Sequence, residues 1–134
     1  MSTELITLEL EETLNLASKL MRLGRVRHLP VVDRHGRLAG LVTHRDLLNA
    51  QVSALAGLSD DETDEIEDGI AVSEIMISDV LTASPDDTAL KAAEMLREHR
   101  YGCLPVVDGD KLVGIITEAD FLELVIKALR GAGK

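Results

Sequence analysis

The sequence predicts an α/β fold built from two β-α-β-β-α repeats. Three observations predict it. Leu29-Pro30-Val31-Val32-Asp33 recurs as Leu104-Pro105-Val106-Val107-Asp108, and Gly40-Leu41-Val42-Thr43 recurs as Gly114-Ile115-Ile116-Thr117. The correspondence continues upstream, pairing Thr7 with Thr82, Thr13 with Thr88, Ala17 with Ala92, Arg22 with Arg97 and Arg25 with Arg100. Hydrophobic residues make up 46% of the 134, which suits a folded core and argues against disorder. Self-similarity of this kind marks a duplicated supersecondary unit.

The second copy shows the elements most clearly. Asp79–Ala83 is a short, partly β-branched run that reads as a strand. Ser84-Pro85-Asp86-Asp87 reads as a helix start, with a capping Ser, a tolerated Pro and acids near the positive helix end. Ala89, Ala92, Ala93 and Leu96 then fall at helical spacing. Leu104–Val107 and Leu112–Thr117, separated by Asp108-Gly109-Asp110, read as a hairpin. A last helix is expected from Glu118 to Arg130, with Phe121, Leu122, Val125 and Leu129 on one face and Gly131 as its stop. The first copy follows the same order. Its hairpin turn, Arg34-His35-Gly36-Arg37, is one residue longer than Gly109-Asp110-Lys111, and turn tips tolerate such changes.

These boundaries divide the chain into a first repeat at 1–58, an acidic linker at 59–69 and a second repeat at 70–134. The acids of Ser59–Asp68 read as a solvated linker, since their spacing is not that of a calcium-binding loop. Met1 aligns with Met76, so the first repeat is expected to lack the lead-in that Ile70–Ile75 gives the second; either the natural start lies here or a longer chain was trimmed. Each copy, at about sixty residues, is too small to be comfortably stable alone, so two packed together are the expected unit.

Charge narrows the function. Fourteen Lys and Arg against 24 Asp and Glu give a net charge of −10, which disfavours binding to nucleic acid. Tyr101 and Phe121 are the only aromatics, so base stacking is closed as well. The single cysteine, Cys103, permits no internal disulfide and no CxxC zinc pair, and reads as a small buried hydrophobe. No signal peptide is seen, and no apolar run approaches the roughly 20 residues of a membrane span, so a soluble cytoplasmic protein without a membrane partner is expected. The acidity is uneven, however. Residues 22–45 hold six arginines, three of the four histidines and one acid, Asp33.

A helix before "LPVVD", a turn, then "GhhTxxD" resembles a CBS domain, and two in tandem resemble a CBS pair, or Bateman module. Gly40-Leu41-Val42-Thr43-His44-Arg45-Asp46 and Gly114-Ile115-Ile116-Thr117-Glu118-Ala119-Asp120 carry the resemblance, which covers nearly the whole chain. It implies two repeats about a pseudo-twofold axis, no obligatory cofactor, and an adenine nucleotide or S-adenosylmethionine as regulatory ligand in the cleft between them. It also implies a homodimer paired through exposed helical faces, for which Phe121–Leu129 and Leu47–Leu58 are the candidates, and a regulated protein partner.

In this family the motif Thr contacts phosphate and the Asp accepts from ribose hydroxyls, which assigns Thr43, Asp46, Thr117 and Asp120. A helix start offers free N–H groups to phosphate, and an ionised Asp suits a diol. The same T-x-x-D pattern is also a capping box, and both readings stand at this point. Between Thr and Asp the first copy has His44 and Arg45, whereas the second has Glu118 and Ala119. Arg27 and His28 sit where the family lines its pocket, and their counterparts are Gly102 and Cys103. The first motif is therefore expected to take a ligand's phosphorylated end, with an ordinary solvated face as the alternative. The second would take a nucleoside-like group or nothing. Leu5, Leu29 and Val42 are candidates for an adenine slot in the first copy, and Val80, Leu81, Leu104 and Ile116 in the second; core packing is the alternative for each.

No enzyme and no metal site is expected. His28, His35, His44 and His99 lack ligand spacing, Cys103 lacks an activating motif, and no P-loop or GxSxG is present. Two function classes remain open: an adenosyl-ligand sensor, and a ligand-free module that dimerises or docks on a partner. In either case the chain could be a regulatory piece of a larger protein.

Overall fold

Thr13 and Thr88, matched by the repeat, each cap a helix. Thr13 Oγ1 accepts from the N–H of Leu16 at 3.2 Å and opens α1, Leu14–Gly24. Thr88 Oγ1 accepts from the N–H of Lys91 at 3.1 Å and opens α4, Ala89–Glu98. Such a cap satisfies one of the free N–H groups at a helix start. The computed structural model describes residues 5–55, 60–99 and 102–132. Its contacts divide into two units, Ile6–Val80 and Leu81 onward, with Leu5 assigned to the second.

In the first unit, β1 (Leu8–Glu9) runs parallel to β2 (His28–Val32), and α1 is the crossover that a parallel pair requires. β2 pairs antiparallel with β3 (Leu38–Thr43), placing His28 opposite Thr43 and Leu29 opposite Val42. Asp33 closes the hairpin: its Oδ1 accepts from the N–H groups of His35 and Arg37 at 2.8 and 3.0 Å, and its Oδ2 accepts from Arg37 Nε at 2.8 Å. Leu14, Ala17 and Met21 of α1 bury their shared stripe against Leu8, Leu29, Val31 and Val42. α2, His44–Leu55, follows β3 directly.

The acidic stretch, expected as a solvated linker, forms a helix, α3 (Asp60–Asp68). Polar partners on the neighbouring helices hold it. Gln51 Nε2 donates to Glu67 Oε1 at 2.8 Å, and Asn15 Nδ2 donates to Asp68 Oδ1 at 2.9 Å. Glu67 is buried, and a buried carboxylate needs such a partner.

Residues 70–80, assigned by the repeat arithmetic to the second copy, pack on the first unit. Leu14 N–H donates to the Ile70 carbonyl and Val72 N–H to the Glu12 carbonyl, both at 2.8 Å. Val72 opens a 3-10 turn, Val72–Glu74, and is fully buried in the first core. Ile77 bridges Leu41 on the edge of β3. The first unit therefore receives its covering segment from later in the chain.

In the second unit, β4 (Cys103–Asp108) pairs antiparallel with β5 (Lys111–Thr117), leading into α5 (Glu118–Ala132). The strand expected at Asp79–Ala83 reduces to one parallel bridge, Ala83 to Val106, with Ala83 N–H on the Pro105 carbonyl at 2.9 Å. Ser84–Asp87 forms its own turn rather than the first turn of α4. Ser84 N–H donates to Asp87 Oδ2 at 2.8 Å, so Asp87 is committed before the helix begins. Ala83, Ala92, Leu96, Leu104 and Val106 form the core, flanked by Ile116 and Phe121.

Gly131 does not stop α5, which continues through Ala132. Of the expected pairing faces, Phe121 is drawn to the second core while Leu122, Val125 and Leu129 are exposed. Leu47 is buried in the first core and Leu48 is exposed. The side chains of Val52 and Leu55, together with Leu58, Arg100 and Tyr101, lie outside the described residues.

Candidate functional site

Each T-x-x-D motif sits where a strand turns into a helix, β3 into α2 and β5 into α5. In the first unit the Thr43 N–H and hydroxyl both donate to Asp46 Oδ2, at 3.0 and 2.8 Å. Asp46 N–H donates back to Thr43 Oγ1 at 3.2 Å. This is a reciprocal capping box, and it uses both functions of a hydroxyl that is already buried. Among the described residues, Asp46 Oδ1 takes no hydrogen bond and remains available to a donor.

The second box is looser. Thr117 N–H donates to Asp120 Oδ2 at 2.9 Å, while the Thr117 hydroxyl makes no hydrogen bond among the described residues. A ligand could engage Thr117 without breaking an internal bond, whereas Thr43 would have to share one.

A second backbone tie recurs at both junctions. His44 N–H donates to the Arg27 carbonyl at 2.8 Å, and Glu118 N–H donates to the Gly102 carbonyl at 3.2 Å. It brings the segment before each "LPVV" strand against the start of the following helix. The two copies thus build the same backbone frame and hang different side chains on it. Arg27 and His44 occupy the first frame; Gly102 and Glu118 occupy the second.

Arg27 and His44 line one groove of about 520 Å³ together with Arg22, Arg25 and Gln51, over Met21 and Leu47. Arg45 is exposed and does not line it, and His28 is half-buried on β2 opposite Thr43. In the second unit, Ile116 and Asp120 line a smaller pocket of about 240 Å³ with Val106, Phe121 and Leu124. That pocket pairs a mainly apolar wall with two carboxylates, Asp87 and Asp120. Leu104, expected as a wall of the adenine slot, is a core residue, as are Leu29 and Val42. Cys103, the counterpart of His28, is buried, and burial pushes its thiol up to about 12. It behaves as a core hydrophobe rather than a nucleophile.

Arg22 and Arg25 are the functional candidates that sequence reasoning missed. Arg22 matches Arg97, and a residue shared by both repeats reads as structural. The available signal was their place in the last turn and cap of α1, beside the segment that carries Arg27.

The CBS domain family model matches residues 1–53 and 72–127. A CBS domain-containing protein of Dictyostelium discoideum is 35% identical over 130 residues, covering 96% of this chain and 90% of that protein. Several other relatives are enzymes, of which the chain spans a small part. Homoserine O-acetyltransferase of Methanococcoides burtonii is 32% identical over 126 residues, which cover 93% of this chain and 23% of the enzyme. Among solved structures, AcuB of Vibrio cholerae superposes with a TM-score of 0.85 at 36% identity, covering 100% of this chain and 93% of that one. CBSX2 in complex with AMP gives 0.78 at 26% identity, covering 93% and 90%. The CBS pair of MJ0100, in complex with 5′-methylthioadenosine and S-adenosyl-L-methionine, gives 0.76 at 28%, covering 92% and 93%.

Proposed function

The chain belongs to the CBS domain family, with two copies in tandem, and on that premise we propose that it is a regulatory module that binds an adenosyl ligand at its two Thr-x-x-Asp motifs. The carrying observation is the repeated strand-to-helix frame, in which an aspartate is fixed by its own capping box. Asp46 keeps Oδ1 free for a ribose hydroxyl, and Thr117 keeps its hydroxyl free. The AMP complex of CBSX2 and the S-adenosylmethionine complex of MJ0100 support the ligand class.

The two motifs divide the work by charge. Arg27 and His44 favour a phosphate beside the first motif, while Glu118 disfavours one beside the second. The pocket around Ile116 and Asp120 suits an uncharged nucleoside-like group. The module regulates rather than transforms its ligand.

A thermal-shift panel of adenosine, AMP, ATP and S-adenosylmethionine tests the reading. A ligand at 100 times its Kd should add about 2.7 kcal/mol of stability. Asp46→Ala and Asp120→Ala should then remove the shift at one motif each. No shift with any of the four overturns the adenosyl reading. Equal affinity for adenosine and ATP overturns the division by charge.

One observation favours a second role, pairing of two copies. Leu122, Val125 and Leu129 are 61%, 51% and 66% exposed on α5, an apolar face of the kind that marks an interaction surface. Light scattering on the wild-type chain should report a dimer and on Leu122→Glu/Leu129→Glu a monomer. A wild-type monomer rejects this role without touching the ligand reading.

A further inference from the structure

The first unit carries another groove at the turn end of its hairpin. It measures about 530 Å³, a size that suits a small molecule. Two segments face each other across it. Glu9, Leu10 and Glu11 come from the corner between β1 and α1, and Arg34, His35 and Arg37 from the turn between β2 and β3. His28 pairs with Thr43 at one end of the β2–β3 ladder and Val32 with Leu38 at the other, so roughly 13 Å of strand separates this groove from the Thr43–Asp46 box.

The charges on the two segments are opposite and stay apart. The side chains of Glu9, Glu11 and Arg34 have no partner among the described residues. Arg37 pairs within its own turn: its Nε donates to Asp33 Oδ2 at 2.8 Å, which leaves its two terminal amino groups as donors. Opposite charges that face each other without closing leave room for a ligand that carries both.

Both segments are braced by the backbone. Asp33 Oδ1 accepts from the N–H groups of His35 and Arg37, and Gly36 supplies φ 78° at the tip. Across the groove, Glu12 Oε2 accepts from the Glu9 N–H at 3.0 Å. Binding groups on turns held this way need little reordering to meet a ligand.

The second repeat does not reproduce the arrangement. Ser84-Pro85-Asp86 stands where the first has Glu9-Leu10-Glu11, and the shorter turn Gly109-Asp110-Lys111 keeps one cation and adds an acid.

From these features we infer that the hairpin-turn groove of the first unit is a site for a zwitterion, an α-amino acid or a short peptide. Arg34 and Arg37 take its carboxylate, for which a guanidinium fork offers paired N–H donors. Glu9 and Glu11 take its ammonium, and the half-buried Leu10 and Val32 meet an aliphatic side chain. Neither Thr-x-x-Asp motif lines the groove, so the site stands whether or not an adenosyl ligand binds them.

Calorimetric titration of the whole chain with L-leucine, N-acetyl-leucine and leucinamide tests it, since the first carries both charges and the others one each. Leucine should bind saturably and at least about tenfold tighter than either analogue. Arg34→Gln and Glu11→Gln should each weaken leucine by about threefold or more, while Asp86→Asn, at the matching place in the second unit, leaves it unchanged. Arg34 and Glu11 are exposed, so both variants should fold, and their melting curves check this. Asp46→Ala, which removes adenosyl binding at the first motif under the proposed function, should leave leucine affinity within about twofold, so the two readings fail separately. Leucylleucine names the source: tighter binding than leucine assigns a short peptide, and weaker binding assigns a free amino acid. Absence of saturable binding by leucine and leucylleucine alike, equal affinity for leucine and its single-charge analogues, or affinity unmoved by Arg34→Gln and Glu11→Gln overturns the site.

Discussion

Leu41 and Ile77 exchange both of their backbone hydrogen bonds, at 2.9 and 2.8 Å, and so fasten the segment after α3 to the edge of β3. An unpaired strand edge is a liability, and this contact covers it from within the chain. Gly40, next to Leu41, makes the approach feasible. A Cβ there would meet Met76 Sδ, and would lie 2.8 Å from the Ile77 carbonyl oxygen.

Gly40→Ala should therefore destabilise the chain by about 1–3 kcal/mol, the range for forcing an extra carbon into a packed site. Gly131→Ala serves as the contrast, because a Cβ there meets nothing within 4 Å and the residue lies in α5. It should be neutral or stabilising by up to about 1 kcal/mol. Urea melts of both variants beside wild type check the difference in sign.

Arg25→Gly should stabilise the protein by about 1 kcal/mol, since a left-handed residue with a Cβ costs roughly that much. Arg22→Gln, on the helical turn before it, should change stability by less than about 0.5 kcal/mol. A higher melting midpoint for Arg25→Gly would show that the left-handed side chain costs the fold stability. A lower melting midpoint for Arg25→Gly would instead make Arg25 a structural cap.

What the sequence made legible was mostly local. Thr13, Thr88, Thr43 and Thr117 lie within a few residues of the groups they cap, and the Asp33 and Asp108 hairpins carry their own turn residues, with Gly36 and Gly109 at positive φ. What it hid depends on distant partners. The acids of α3 read as solvated because Gln51 and Asn15, which bind Glu67 and Asp68, are remote in sequence. Residues 70–80 read as belonging to the second copy because the repeat aligns them there, yet their hydrogen bonds go to Leu14, Glu12 and Leu41. The arginine groove escaped notice because it arises where the end of α1 meets the start of α2. The strand expected before α4 shrank because only Ala83 reaches β4.

Cys103 gives a test of the second core. Burial raises its thiol to about 12, and the thiolate is the reactive form. At pH 8 the native chain should resist an uncharged alkylating reagent, with modification appearing only as urea unfolds it. Rapid labelling of the native chain would mean that the β4 edge opens locally.

Two aspartates predict the acid limb of stability. Asp87 is held below its ordinary value of 3.8 by the Ser84 N–H and the Lys91 ammonium, against a smaller opposing effect of burial. For Asp33, burial is the largest single influence and raises the value, but the N–H groups of Arg37 and His35 and the Arg37 guanidinium together outweigh it, and the net direction is again downward. A carboxylate lowered in the folded state binds fewer protons there than when unfolded. Its contribution is complete above 3.8 and is lost as pH falls below 3.8 through the lowered folded value. Asp33→Asn and Asp87→Asn should therefore cost most at neutral pH, and the gap to wild type should close as the pH drops through that window. Both carboxylates are surface groups, so added salt should shrink the part owed to Arg37 and Lys91 and leave the part owed to backbone N–H donors. Melting midpoints from pH 7 down to the acid limit, at low and high salt, check both statements. A gap that widens on acidification would reverse the assigned direction of both shifts.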